Sequence, residues 1–269
     1  MQNATEAVVI AAFGTSVERA KVSYSNVEAK VRAVLPGRPI LWAWTAHSLL
    51  PRAASADPVY TVQEALAKAG RAGVKKVYLL SLHVIPGLEY ANLEQAAAAF
   101  AGLPKELEVV LLSRPLLHDT ASLAKMAEIL LQGLPGERRS DEAALFVGHG
   151  THHPAGVYYP ALQYYLSRRD AGALVGVVEG GEGSPDLESV IHVLREKEIK
   201  TVWLVPLMVV AGDHAMNDLF GVDPDSWQER LKAQGFAVKP VQRGLGENPA
   251  IVDLWAERLQ ELSAKNHPA

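Results

Sequence analysis

The sequence predicts an α/β protein of two similar doubly wound lobes with parallel sheets, and three observations carry that reading. Short apolar runs rich in β-branched residues alternate with amphipathic stretches along the chain, the order that right-handed strand–helix–strand crossovers require. Several apolar runs stop abruptly at glycine beside a polar or titratable residue, as chains do on leaving the carboxyl edge of a buried sheet. The plan also repeats. Val77–Tyr90 (VYLLSLHVIPGLEY) aligns with Val202–Asp218 (VWLVPLMVVAGDHAMND) at an offset of 125 residues (202 − 77), with Gly87 opposite Gly212 and Glu89 opposite His214.

In chain order, strands are expected at Ala7–Phe13, Pro39–Thr45, Val77–Ile85 and Leu107–Ser113, then at Ala143–Gly148, Ala173–Glu179, Val202–Val210 and Ala237–Val241. Each is a short apolar run bounded by Gly, Pro or polar residues. Helical periodicity fills Val17–Leu35, Thr61–Ala72, Leu93–Ala101 and Ala121–Gln132, then Ala155–Arg168, Leu187–Lys197, Asp225–Gln234 and Pro249–Ala264. Leu66 and Val74 face Ile191 and Ile199 at the same offset, while Phe13-Gly14-Thr15 matches His149-Gly150-Thr151 at 136 (149 − 13), so the second copy contains a shorter connection. The Pro, Gly and charge cluster Gly133–Asp141 (GLPGERRSD) reads as the linker, giving an N-terminal lobe over 1–136 and a C-terminal lobe over 137–269. Chemistry is expected in the cleft between them.

Composition removes whole classes of function. With 269 residues, 49% hydrophobic and 21% charged, the chain is an ordinary globular one. A net charge of −4 and the lack of any basic run of five residues argue against a nucleic-acid partner. No apolar segment is long enough to span a membrane and no cationic leader opens the chain, so a cytoplasmic location is expected, or a periplasmic one had a leader been removed. Cysteine is absent, which excludes disulfides, thiolate zinc sites, Cys-ligated iron–sulfur clusters and a cysteine nucleophile. Any metal must therefore be held by His, carboxylate or water. Neither G-x-x-x-x-G-K-[ST] nor H-E-x-x-H occurs, so P-loop ATP hydrolysis and zincin chemistry are not expected.

Four stretches can carry chemistry. In FVGHGTHHP (Phe146–Pro154), glycines flanking His149 let the chain turn and leave the imidazole open to a ligand, whereas His152 and His153 read as surface residues near a helix start. In VVEGGEGSP (Val177–Pro185), Glu179 ends a strand assigned between those of His149 and His214, and Glu182 is a nearby alternative. After AGDH, Asp213 or Asp218 can orient the His214 ring or cap a helix. In AAFGTS (Ala11–Ser16), the N–H groups of Gly14, Thr15 and Ser16 open a helix and can hold a carboxylate or phosphate, with plain capping as the competing role. His83, inside an apolar strand, reads as a core or cleft-wall histidine. The tyrosines at 158, 159, 164 and 165 read as core or interface, and the apolar surface near 157–166 hints at self-association into a homo-oligomer.

SLHVIPGLEY, GHGTHH, PLMVVAGDHAMND and GLGENPA, with AAFGTS near the start, closely resemble the anaerobic cobalt chelatases of cobalamin synthesis, the CbiK-type class II family, over about residues 7 to 256. The resemblance implies insertion of Co(II) as substrate metal into sirohydrochlorin without ATP. It implies His149, Glu179 and His214 as metal ligands and Glu89 as a proton-handling group beside the two histidines. One departure matters: where the family has a short E-S-Y-P-type turn, this chain has E-G-G-E-G-S-P, so Glu182 can share or replace the role of Glu179. Ala91-Asn92-Leu93-Glu94 lacks the haem-ligating histidine of some periplasmic relatives, so no haem is expected. The implied substrate bears many carboxylates, for which the amides of Gly14, Thr15 and Ser16, with Arg19, Lys21 and Arg52, are candidate anchors. A metallohydrolase using the same His/His/Glu set, and a two-lobed metal or tetrapyrrole binder without turnover, are the competing readings.

Overall fold

The computed structural model describes residues 4–52, 58–102, 107–136, 138–212 and 215–264. Two compact units emerge: one holds the chain up to Leu116 together with the segment from Val252 onward, and the other holds Leu117 to Ile251.

In the first unit, β1 (Glu6–Ala12), β2 (Ile40–Trp44), β3 (Val59–Tyr60), β4 (Lys76–Ser81) and β5 (Val109–Leu112) form a parallel sheet in the order β3-β2-β1-β4-β5. Central strands of such a sheet are covered on both faces, and β1 is accordingly buried from Ala7 to Ala12 without polar interruption. The connecting helices are α1 (Val22–Val34), α2 (Val62–Arg71) and α3 (Leu88–Phe100). Val9, Leu66, Leu79 and Leu93 meet in the core beneath α2 and α3. A capping box starts α2: Thr61 Oγ1 accepts the Glu64 N–H, and the Glu64 carboxylate accepts that of Thr61.

The second unit opens with α4 (Thr120–Gln132). It continues through β6 (Glu142–Thr151), α5 (Tyr158–Ser167), β7 (Ala173–Gly180), α6 (Leu187–Glu196), β8 (Thr201–Pro206), α7 (Trp227–Ala233) and β9 (Ala237–Pro240). Its four strands, all parallel, run in the order β7-β6-β8-β9, so β6 lies inside the sheet. Leu145, Ile191, Leu204 and Trp227 are among its core residues. The last helix, α8 (Pro249–Ala264), belongs to the first unit from Val252 onward.

The repeat survives at the level of element boundaries. Both ends of α2 and α6 (187 − 62, 196 − 71) and of β4 and β8 (201 − 76, 206 − 81) are separated by 125 residues. The starts of β1 and β6 (142 − 6), of the 3₁₀ turns Glu18–Lys21 and Pro154–Val157 (154 − 18), and of α1 and α5 (158 − 22) are separated by 136. The chain between α1 and α2 is longer in the first copy, where it carries the 3₁₀ segment His47–Arg52 and the extra edge strand β3.

Three expectations are corrected. The division does not fall in Gly133–Asp141, because Arg138 in that stretch donates to the Glu142 and Gly172 carbonyls and pairs with Asp170, which anchors it within the second unit. Consequently α4, expected in the N-terminal lobe, belongs with the second sheet, and most of α8 belongs with the first. Strands β4 and β8 stop at Ser81 and Pro206, well short of Ile85 and Val210. The apolar runs continue, but only one more ladder bond forms in each: Leu82 N–H to the Ala11 carbonyl and Leu207 N–H to that of Val147. Finally α3 starts at Leu88, ahead of the expected Leu93, so Glu89 lies in its first turn and not at a strand exit.

Candidate functional site

His149 stands near the carboxyl end of β6, half-buried, between two glycines that no other residue could replace without displacement. A Cβ on Gly148 would run into the ring of Tyr159. Gly150 has φ +90°, a region L-residues rarely enter, and a Cβ there would strike the Glu179 carbonyl. The Tyr159 hydroxyl accepts the Gly150 N–H at 3.2 Å. Beyond the turn, Thr151 Oγ1 accepts the His153 N–H at 3.0 Å, and His153 Nδ1 accepts the Ala155 N–H at 3.2 Å, capping the 3₁₀ turn. His153, expected at the surface, is half-buried and caps the turn, whereas His152 is exposed as expected.

Glu179 is exposed on β7, and the register pairs it with Gly150, one residue past His149. By pleat alternation Glu179 shares a sheet face with Gly148 and Gly150. Glu182 is exposed in the loop that follows. Among the described residues no three His, Asp or Glu side chains stand close enough to hold a metal ion. Asp213 and His214 lie outside the described residues, between the end of the 207–212 segment and a π-helical turn, Ala215–Leu219, that carries Asp218.

The first copy builds the same strand exit with different side chains. Gly14, at φ +112°, presses against the Trp44 indole, where a Cβ would come within 2.8 Å of Cδ2. Its N–H donates to the Tyr24 hydroxyl at 3.2 Å. That bond corrects one expectation: the Gly14 amide is occupied inside its own lobe and is no open anchor for a substrate carboxylate. Thr15 is buried and its Oγ1 accepts the Val17 N–H at 3.1 Å, so it too serves the turn, which leads into a 3₁₀ segment rather than directly into α1. Ser16 is half-buried beside it; Arg52 ends the segment His47–Arg52, and its side chain falls outside the described part.

Two features are finer than the sequence reading: the partners that hold His83, itself read as a core or cleft-wall histidine, and a pair of tyrosine–glycine contacts. His83 is clamped at both ring nitrogens, Nδ1 by Ser81 Oγ at 3.0 Å and Nε2 by Thr45 Oγ1 at 3.4 Å, and burial pushes its pKa down to about 4. The hydroxyls come from the exits of β4 and β2, so a polar layer caps the carboxyl edge of the first sheet. The second is the tyrosine–glycine pair in both copies, Tyr24 to Gly14 and Tyr159 to Gly150. A tyrosine nine or ten residues after each exit glycine (159 − 150, 24 − 14) was its available signal.

Solved structures share this architecture. SirB from Bacillus subtilis with Fe3+ superposes with a TM-score of 0.61 at 13% identity, covering 98% of this chain and 97% of that one. The sirohydrochlorin chelatase SirB of the subspecies spizizenii, in complex with cobalt, gives 0.58 at 12% identity, covering 99% and 97%. The fold is therefore that of the sirohydrochlorin chelatases. Sequence comparison then narrows the class: the cobalt chelatase (CbiK) profile matches residues 6–264, and the chain belongs to that family. It is 35% identical over 253 residues to the sirohydrochlorin cobaltochelatase CbiKC of Nitratidesulfovibrio vulgaris, covering 94% of this chain and 88% of the relative. With the sirohydrochlorin cobaltochelatase of Salmonella typhimurium it shares 32% identity over 259 residues, covering 95% and 96%.

Proposed function

We propose that this chain inserts Co(II) into sirohydrochlorin without ATP, with His149, His214 and Glu179 as the ligands that present the metal. The observation that carries the reading is His149 itself, an imidazole held at the end of an interior strand between two glycines that backbone and tyrosine packing make irreplaceable. Family membership supplies the reaction. Insertion requires that the ion shed water, that the macrocycle bend to expose its nitrogen lone pairs, and that two pyrrole N–H protons leave as the four ring nitrogens bind the divalent ion. Two neutral imidazoles and one carboxylate bind a divalent ion while leaving positions open, so the ion can be passed on. Glu89, half-buried in the first turn of α3, is proposed to accept protons together with the histidines. Glu182, three residues after Glu179 in the same loop, is proposed as a second carboxylate for the ion in transit.

The test is anaerobic incubation with sirohydrochlorin and Co(II), followed by the visible absorption change. His149→Ala and His214→Ala are each expected to lower the rate about 100-fold while urea unfolding stays that of the parent. Wild-type rates in both variants would rule the reading out. Ester hydrolysis would favour the hydrolase alternative, and stoichiometric tetrapyrrole uptake without insertion would favour a carrier.

A further inference from the structure

We infer that Tyr159 is a positioning residue for His149: its phenol hydroxyl, by accepting the Gly150 N–H, holds the turn that aims the imidazole at the metal. The inference rests on His149 being a ligand, as proposed above, and goes on to name what sets its geometry. Tyr159 lies on α5, is 5% exposed, and contacts the turn at two points. Its ring fills the space a side chain at 148 would take, and its oxygen sits 3.2 Å from the nitrogen of Gly150. The residue held between those two points is His149. A phenylalanine would fill the same space at no polar cost, whereas a buried phenol must find a partner. Burial raises the Tyr159 pKa, so the group stays a neutral phenol whose lone pair faces the amide.

The first copy supplies the control. Tyr24, 7% exposed, makes the same 3.2 Å contact with Gly14, also at positive φ, but the preceding residue there is Phe13. Both copies therefore use a tyrosine hydroxyl to fix the strand exit, and in only one does the fixed peptide carry an imidazole. Removing each hydroxyl should cost the two lobes similar stability and have different consequences for cobalt.

The experiment is titration of the full chain with Co(II), without tetrapyrrole, following the visible absorption of the imidazole-bound ion, for wild type, Y159F, Y24F and H149A. Loss of one ordinary hydrogen bond corresponds to about a fivefold to tenfold change in an equilibrium constant. Y159F is expected to weaken cobalt binding by about that factor and to alter the absorption envelope. Y24F is expected to bind cobalt within about twofold of wild type despite a comparable drop in Tm. If H149A binds like wild type, His149 is not a ligand and the reading beneath the inference fails. If H149A loses the signal while Y159F keeps wild-type affinity and spectrum, the role of Tyr159 alone is refuted. Equal weakening in Y159F and Y24F would refute it too, because the hydroxyls would then act only through general stability.

Discussion

Glu142, the first residue of β6, offers the sharpest energetic test of how the second lobe is held together. Its side chain is 2% exposed, and it accepts hydrogen bonds from Lys239 Nζ at 2.7 Å and Trp203 Nε1 at 2.8 Å. The Lys239 ammonium and the Trp203 indole hold its pKa down, from an ordinary 4.5 to about 2, against the opposing effect of burial. The folded state thus binds the proton more weakly than the unfolded chain does. Stability from this group is complete above about pH 4.5 and is lost as pH falls towards 2. The interval between 4.5 and about 2 corresponds to about 3 kcal/mol. Lys239 is 48% exposed, so solvent screening lowers the expected cost of Glu142→Gln at pH 7 to about 2 kcal/mol. At pH 3 about 1 kcal/mol should remain, since the unfolded carboxylate is by then protonated. Urea unfolding of both proteins at the two pH values measures the difference. Glu6 starts β1 at the corresponding position of the first copy (142 − 6 = 136). There burial opposes, but Lys76 and Arg38 outweigh it and lower the pKa, with 24% of the side chain exposed, so Glu6→Gln should cost less. An E142Q penalty that stays constant from pH 7 to pH 3 would refute the electrostatic origin and assign the cost to packing.

Gly150→Ala must place a Cβ at φ +90° against the Glu179 carbonyl, so Tm should fall by several degrees and cobalt insertion should drop at least tenfold; differential scanning calorimetry and the insertion assay check the pair. His83, with its pKa lowered to about 4 by burial, stays neutral where an ordinary histidine charges. Its stabilising effect is present above about pH 6.5 and is lost as pH falls towards 4, so His83→Gln should flatten the stability profile over that window. Its imidazole NMR signals should show no titration between pH 6 and 8.

The alternation of strands and helices, the two copies and the candidate histidines were all legible in the linear chain, because hydrophobic period and repeat spacing are one-dimensional properties. Helices α2 and α6 and strands β4 and β8 keep the offset read between Val77 and Val202, since each copy must bury the same strand between the same helices. Boundaries were less legible. Leu82–Ile85 and Leu207–Val210 are apolar enough for a strand, yet ladder bonding past Ser81 and Pro206 depends on where the neighbouring strand still offers carbonyls. Gly133–Asp141 has a linker's composition, and only the partners of Arg138 show that it is tied into a lobe.

By itself, then, the sequence determined that this is a duplicated parallel α/β chain of the chelatase type with His149 at a glycine-flanked strand exit. Composition and spacing specify the repeated α/β plan and the glycine-flanked exit, while the chelatase type rests on the resemblance of motifs such as GHGTHH and PLMVVAGDHAMND. Tertiary structure alone decided that α4 pairs with the second sheet, that the Gly14 amide is already bonded to Tyr24, and that Tyr159 reaches Gly150. Each depends on which donor meets which acceptor across a packed interior, and residues far apart in sequence settle that only when the core closes around them.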